Sequence, residues 1–531
     1  MSDVVTHVEA AGVPRARQML ERARWAARAF ATYDHASVLR IVEAVSSAAE
    51  ANARHYAEWA VRETGFGVVE HKVVKNLLCS RGILDAYRDH DYVTPRVDVE
   101  RKLVEVPRPA GVVLALTPST NPISTVYFKV LLSLLTRNAV VVSPHPLAQE
   151  CCADAARLLG AAAVAAGAPD GVVQVVDAPS VPLIDALMTD ERTDVILATG
   201  GVAVVRAAYS SGNPAIGVGP GNVPVLVDAT ADLKRAAEKL VTSKAFDNSV
   251  LCTNESVLIV EESVADRLLR EMGRHGAYLL SPDERDRVRE TLFPDGRFNT
   301  SLVGKDAAVI ADKADVRVPS RTRILLAPID LAVEEEPLAH EKLCPVLGVI
   351  RVPSARRGIR SAVALLRIGG AGHSAVIHST DPATVMAYAA AVPVLRVAVN
   401  EGGSTGSAGF GTHLAPSMTI GTGFVGRSSL GENLEPKHLV NFTRIAYSDD
   451  PAQALPSYDG MVPWLAPQEP VPPYPVASNL APRGPLALCG LCDTRHVAEV
   501  VCRSPQDGAV SELREELRRL IVEELTTMIR G

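Results

Sequence analysis

The sequence predicts an α/β protein with two lobes, the first built on a parallel, doubly wound sheet. Three observations carry this. Short β runs alternate with helical runs from Leu103 onward, as expected where crossover helices cover both faces of a parallel sheet. Turn residues follow those β runs, at Thr117-Pro118, Ser143-Pro144 and Thr199-Gly200-Gly201. The chain has 531 residues and 47% hydrophobic content, well past the roughly 250–300 residues at which one core stops growing.

The elements follow in order. Residues 16–89 read as helices, with apolar residues at three- and four-residue spacing through Val38, Ile41, Val42 and Val45. From Leu103 the pattern changes from helical spacing to β runs. Residues 112–116 form a buried-strand run, and helical spacing follows from Pro122 to Leu135. The alternation continues with strand 139–142, helix 149–166, strand 172–176, helix 180–188 and strand 194–198. Helical spacing resumes from Val204 to Tyr209, and a second α/β stretch runs from about Asp232 to Asn400. Residues 402–411 are a Gly/Ser-rich loop, and 439–446 are a last strand. From Pro451 to Pro485 the chain is Pro-rich and aperiodic, which predicts an extended linker between the body and a final segment. In that segment Leu513, Leu517, Leu520, Ile521, Leu525, Met528 and Ile529 share one helical face.

Composition excludes several classes. The net charge is −7 and there is no dense Lys/Arg run, so no nucleic-acid partner is expected. No apolar stretch approaches the roughly 18–20 residues of a membrane span. The longest candidate, 158–166, is short and interrupted by Gly160. Residues 1–12 carry acids and no apolar core of a secretory signal. Eight cysteines in a chain this long do not make a disulfide framework, so a reducing, cytoplasmic compartment is expected.

Two places carry candidate chemistry. Cys252 lies in the run 246–255, with Ser and Asn before it, polar residues after it and the strand run 256–260 next. Such a cysteine is either a small core residue or a nucleophile at the head of a cleft, where backbone N–H groups favour its thiolate. Thr199-Gly200-Gly201 sits at a strand-to-helix turn. That is either an ordinary βα turn or a place where the backbone approaches a pyrophosphate at a helix N-terminus.

Longer strings then carry a resemblance. The runs 117–129, 143–146, 198–201, 216–224, 246–255, 341–347, 414–421 and 432–441, in this order, resemble the acylating branch of the aldehyde dehydrogenase superfamily. They are similar to the N-terminal half of the bifunctional aldehyde-alcohol dehydrogenases and to the ethanolamine- and propanediol-utilisation aldehyde dehydrogenases. The resemblance covers about residues 16–447. It implies an aldehyde dehydrogenase-like fold: a Rossmann-type dinucleotide-binding domain over 1–227 that includes an arm strand near 101–106, and a catalytic cysteine domain over 228–400. A return to the cofactor domain with an oligomerisation arm would occupy 401–447. A linker with a cysteine-containing segment would occupy 448–509, and an amphipathic helix 510–531.

The resemblance also implies roles. Cys252 would attack the aldehyde carbonyl, with Asn121 and the Cys252 backbone N–H as oxyanion donors; otherwise Asn121 is a turn residue before Pro122. Thr117, Pro118, Ser143, His145, Thr199, Gly200, Gly201, Gly219 and Glu341 would contact the cofactor, NAD or NADP. Glu341 would grip the nicotinamide ribose. Ser143 stands where the family usually carries a lysine for the adenine ribose, which leaves the choice of nucleotide open. His145 is either an adenosine contact or a solvated loop histidine. The implied partners are a small aldehyde, coenzyme A as co-substrate, and further copies of the chain in a homodimer or homotetramer.

One departure from the family pattern is informative. Hydrolytic members carry a Glu in a Glu-Leu-Gly-Gly-Lys pattern that activates water. Here the run is Gly217-Val218-Gly219-Pro220-Gly221, without a carboxylate. Thiolysis is then favoured over hydrolysis. The rival readings are a hydrolytic enzyme served by another carboxylate, and a scaffold protein.

Beyond residue 447 the resemblance ends. The tail helix looks like an encapsulation peptide that docks to a bacterial microcompartment shell or cargo protein; the alternative is a helix packed on its own protein. Cys489, Cys492, His496 and Cys502 have zinc-knuckle-like spacing or form a short packed hairpin, and no metal site is assigned.

Overall fold

The computed structural model describes residues 12–475. The cysteine segment 489–502 and the amphipathic helix 510–531 lie outside the described residues.

Five parallel strands form the first sheet, in the order Val173–Val175, Ala139–Ser143, Val112–Leu116, Val195–Thr199, Ala215–Val218. The strand earliest in sequence therefore sits in the centre, and the chain winds outward from it in both directions. Residues 112–116 and 139–143 are buried throughout, which is why they read as continuous apolar runs and not as alternating ones. Helices Val13–Phe30, His35–Ala51, Pro122–Leu135 and Gln149–Ala165 contribute to the same core.

Seven parallel strands form the second sheet, in the order Ala277–Leu279, Ile324–Pro328, Val346–Val352, Glu255–Glu261, Val223–Val227, Ala375–His378, Val397–Val399. A third, antiparallel sheet joins Arg96–Asp98, Leu103–Pro109 and Val440–Ala446. It pairs the two segments that the sequence offered for an arm, 101–106 and 439–446. Strand Val440–Ala446 pairs on one edge only among the described residues.

Two sequence expectations shift. The boundary expected at residue 227 falls earlier, because strand Val223–Val227 pairs with Glu255–Val260 and with Val376–His378 in the second sheet. Its five residues are all buried, so its apolar pattern would fit either sheet, and only pairing decides. The chain crosses between the sheets through Gly219-Pro220-Gly221-Asn222. The Pro-rich stretch is also not a free spacer from its start. Leu465 N–H donates to Thr32 O at 3.2 Å, Trp464 Nε1 to Val93 O at 2.9 Å, and Trp25 Nε1 to Pro472 O at 3.1 Å. The Arg137 guanidinium lies 4.6 Å from the Trp464 ring centroid. Extended chain without periodicity still anchors wherever its aromatic residues find a partner.

Candidate active site

The first sheet changes winding direction at its central strand. In such sheets a crevice opens outside the carboxyl ends of the strands at that point. Here that place is an open cleft, reached by the residues after strands Val112–Leu116 and Val195–Thr199. Pro118, Asn121, His145, Thr199, Gly200, Gly201, Gly219, Cys252 and Glu341 line it together, although they are spread over more than two hundred residues of chain. Thr117 and Ser143 do not line it. Both are buried, and the Thr117 N–H donates to Ser143 O at 3.0 Å. They tie the two strand ends together beneath the cleft floor, because each is still within or just beyond its strand. His145 sits at the rim; its Nδ1 accepts from the Leu147 N–H at 3.1 Å, and burial pushes its pKa below the usual imidazole value.

Cys252 is delivered by an unusual turn. Asp247, Asn248 and Ser249 have φ of 50°, 51° and 66°, three successive non-glycine residues in the left-handed region. Each costs on the order of 1–3 kcal/mol and persists only where its surroundings hold it. They do. Asp247 Oδ1 accepts from Val68 N–H at 2.7 Å, and Oδ2 accepts from Lys72 Nζ at 3.0 Å and from Lys75 Nζ. Asn248 Nδ2 donates to Gly304 O and Asp306 Oδ1, and Lys244 Nζ donates to Ser249 Oγ at 2.8 Å. The thiol is thereby set at the cleft, partly exposed between buried Leu251 and Thr253.

The electrostatics follow from burial. Burial pushes the Cys252 thiol up to about 12, and the Glu341 carboxylate adds to this; the backbone N–H of Cys252, Arg396 and Lys75 pull the other way. Burial raises Glu341 to about 8 against the opposing Gly221 N–H, which donates to Oε1 at 3.1 Å. Burial also lowers Lys75 to about 8, with the Asp247 carboxylate opposing. Asp247 is pushed up by burial, but Lys75 and Lys72 outweigh it and hold the group below its ordinary value.

Lys72, Lys75 and Asp247 were not singled out in the sequence. The two lysines sit in helix Val69–Leu77, where lysines ordinarily face solvent. Their partner lies more than 170 residues away. The available signal was weak: two lysines three apart share a helix face, which sequence alone reads as a solvated face.

Two glycines leave open space along the cleft backbone. Gly201 starts helix Val202–Ser210, and the space beside the backbone of Gly201 and of Gly219 is open, so a Cβ at either would meet nothing within 4 Å. Backbone of this kind leaves room for a pyrophosphate.

Residues 1–287 match the aldehyde dehydrogenase family model. The bifunctional aldehyde-alcohol dehydrogenase AdhE of Escherichia coli is 39% identical over 81% of this chain, and the chain spans about half (49%) of that protein's length. The succinate-semialdehyde dehydrogenase (acetylating) of Clostridium kluyveri is 36% identical over 83% of this chain and 98% of its own length. Among solved structures, an acetylating aldehyde dehydrogenase from Geobacillus thermoglucosidasius superposes with a TM-score of 0.81 at 38% identity, covering 82% of this chain and 97% of that one. A Rhodopseudomonas palustris propionaldehyde dehydrogenase, with bound CoA and an acylated cysteine, superposes at 0.74 and 27% identity, covering 81% and 97%. The sheet order, the cleft at the switch point and these matches agree: the chain belongs to the aldehyde dehydrogenase family.

Proposed function

We propose that this protein is a CoA-acylating aldehyde dehydrogenase that converts a short-chain aldehyde and CoA to an acyl-CoA through a thioester on Cys252. The observation that carries the reading is the pairing of Cys252 with Asn121 in one cleft whose neighbouring run, residues 217–221, has no carboxylate to activate water. The acetylating relatives and the acylated cysteine of the Rhodopseudomonas enzyme support it.

Cys252 Sγ, once deprotonated, attacks the aldehyde carbon and forms a C–S bond. The carbonyl oxygen takes the negative charge, facing Asn121 Nδ2 and the Cys252 backbone N–H. Pro118, Thr199–Gly201, Gly219 and Glu341 would hold a nicotinamide dinucleotide, NAD or NADP, which would accept the hydride from this carbon. The oxyanion closes to the carbonyl of a thioester. The CoA thiolate then attacks that carbonyl, the tetrahedral oxyanion meets the same donors, and Cys252 leaves as thiolate while acyl-CoA departs.

Glu341 favours a second reading. It is the one carboxylate lining the cleft among the described residues, and at about pH 8 it is poised between its two protonation states. A water activated there would give a free acid. The full chain assayed with NAD and a short aldehyde, with and without CoA, separates the two. Reduced nucleotide and acyl-CoA that require CoA, and vanish in Cys252→Ala, are expected. Sustained reduction with free acid and no CoA would establish hydrolysis.

The open edge of strand Val440–Ala446 supports a homodimer or homotetramer joined by strand pairing. No helix of the described residues is long and apolar enough to cross a membrane. The amphipathic pattern of residues 510–531 supports docking to a microcompartment shell or cargo protein, with the body acting in that compartment.

A further inference from the structure

Lys72 and Lys75 are each 3% exposed. A buried ammonium costs several kcal/mol unless it is paired. Both lysines pair with a single carboxylate, Asp247, so two cations face one anion. Lys75 directs its remaining contacts at the active site. Its Nζ donates to Asn121 Oδ1 at 2.5 Å and reaches Val250 O at 3.5 Å. Asn121 follows the first sheet's central strand, and Val250 precedes Cys252 on the chain entering the second sheet. Lys75 therefore touches both halves of the site.

Asn121 occupies the N-cap of helix Pro122–Leu135 but makes no side-chain cap bond. An asparagine at an N-cap normally accepts a helix N–H, a bond worth about 1 kcal/mol. Here the oxygen is given to Lys75 instead. An ammonium has donors only, so the amide atom facing it must be oxygen. The NH₂ end is thereby fixed on the other side, where it makes one long bond, 3.3 Å to Thr120 Oγ1.

We propose that Lys75 is a positioning residue for the oxyanion site: it locks the Asn121 amide with Nδ2 turned toward the cleft, and its charge polarises that amide into a stronger donor. This rests on the role proposed above for Asn121. Asp247 serves both ends of the arrangement, since the same carboxylate that holds Lys75 in place also pins the strained turn before Cys252. Charge-assisted donors are roughly twice as strong as neutral ones, and the polarisation is passed on through the amide. The donor is thus aimed before substrate arrives, which is the condition for such a group to favour the transition state over the bound aldehyde.

The test is a double-mutant cycle in the full chain, with kcat and KM for the aldehyde measured for Lys75→Met, Asn121→Ala and the pair. Losing one oxyanion donor lowers kcat about 10²–10³-fold, and this is expected for Asn121→Ala. Lys75→Met is expected to lower kcat at least about tenfold with KM changed much less, and to add nothing in the Asn121→Ala background. Multiplying effects in the pair would overturn the proposal, as would an unchanged kcat in Lys75→Met. An unchanged kcat in Asn121→Ala would remove the proposed role of Asn121 as well, so the two failures are distinct. If Lys75→Met does not yield folded protein, Lys75→Gln runs the same cycle, with the same non-additivity expected.

Discussion

The backbone of Gly221 runs directly against the carbonyl of Cys252, so that a Cβ at position 221 would overlap that oxygen. The same residue donates its N–H to Glu341. One glycine on the crossing between the two sheets thus fixes both the nucleophile's loop and the cleft carboxylate.

Gly221→Ala must therefore move one backbone against another. Overpacking of this kind costs about 1–3 kcal/mol, and a displacement on the order of 1 Å at a reacting group costs about 10²-fold in rate. A fall of that size in kcat is expected, with a modest drop in melting temperature. Steady-state kinetics and thermal melting check both, and wild-type kcat would mean that the loop yields without consequence.

Cys252 should alkylate slowly at neutral pH. With the thiol pushed up to about 12, its thiolate fraction rises about tenfold per pH unit throughout the range below that value. The rate of reaction with iodoacetamide in the absence of nucleotide and aldehyde should climb with a slope near one and show no plateau below about pH 10. A plateau near neutrality would show that the thiol is activated before substrate binds.

Glu341→Gln should change stability in a pH-dependent way. The folded-state pKa is raised by burial from 4.5 to about 8. A raised pKa contributes stability that is fully present below the ordinary carboxyl value and is lost as pH rises through the folded value. Relative to the wild type, the variant should gain stability between about pH 5 and pH 9, on the order of a few kcal/mol at most, read as a rise in melting temperature. Above about pH 8, where Glu341 carries its charge in the wild type, the variant also lacks one of the causes that hold the Cys252 thiol high, so alkylation should be faster there.

The Pro-rich strap should matter for stability and not for chemistry. Trp464 closes over Arg137, whose guanidinium also donates to Ala31 O, Tyr33 O and Pro107 O. Trp464→Ala removes a ring, a hydrogen bond to Val93 O and a cation–π contact, a loss of about 2–4 kcal/mol. A lower melting temperature with unchanged Cys252 alkylation is expected; an unchanged melting temperature would mean that the strap rests on the body without supporting it.

Four of the first sheet's five strands were legible in the sequence to within about a residue; the fifth, Ala215–Val218, was not among them. Helix Pro122–Leu135 was legible because proline favours the first helical position and a strand run ends just before it. Cys252 stood out by its junction before a strand run, while Asn121 and Glu341 came only from the family resemblance; the fold brings all three to one cleft. Three things needed the folded chain. It placed strand Val223–Val227 in the second sheet, since an all-apolar strand looks the same on either side of a crossover. It anchored the Pro-rich stretch at Trp464, Leu465 and Pro472, since aperiodic chain declares no partner. And it turned Lys72 and Lys75 inward, since an ammonium is buried only where a distant carboxylate meets it, and the meeting of Lys75 with Asp247 is a property of the fold that no local stretch of residues encodes.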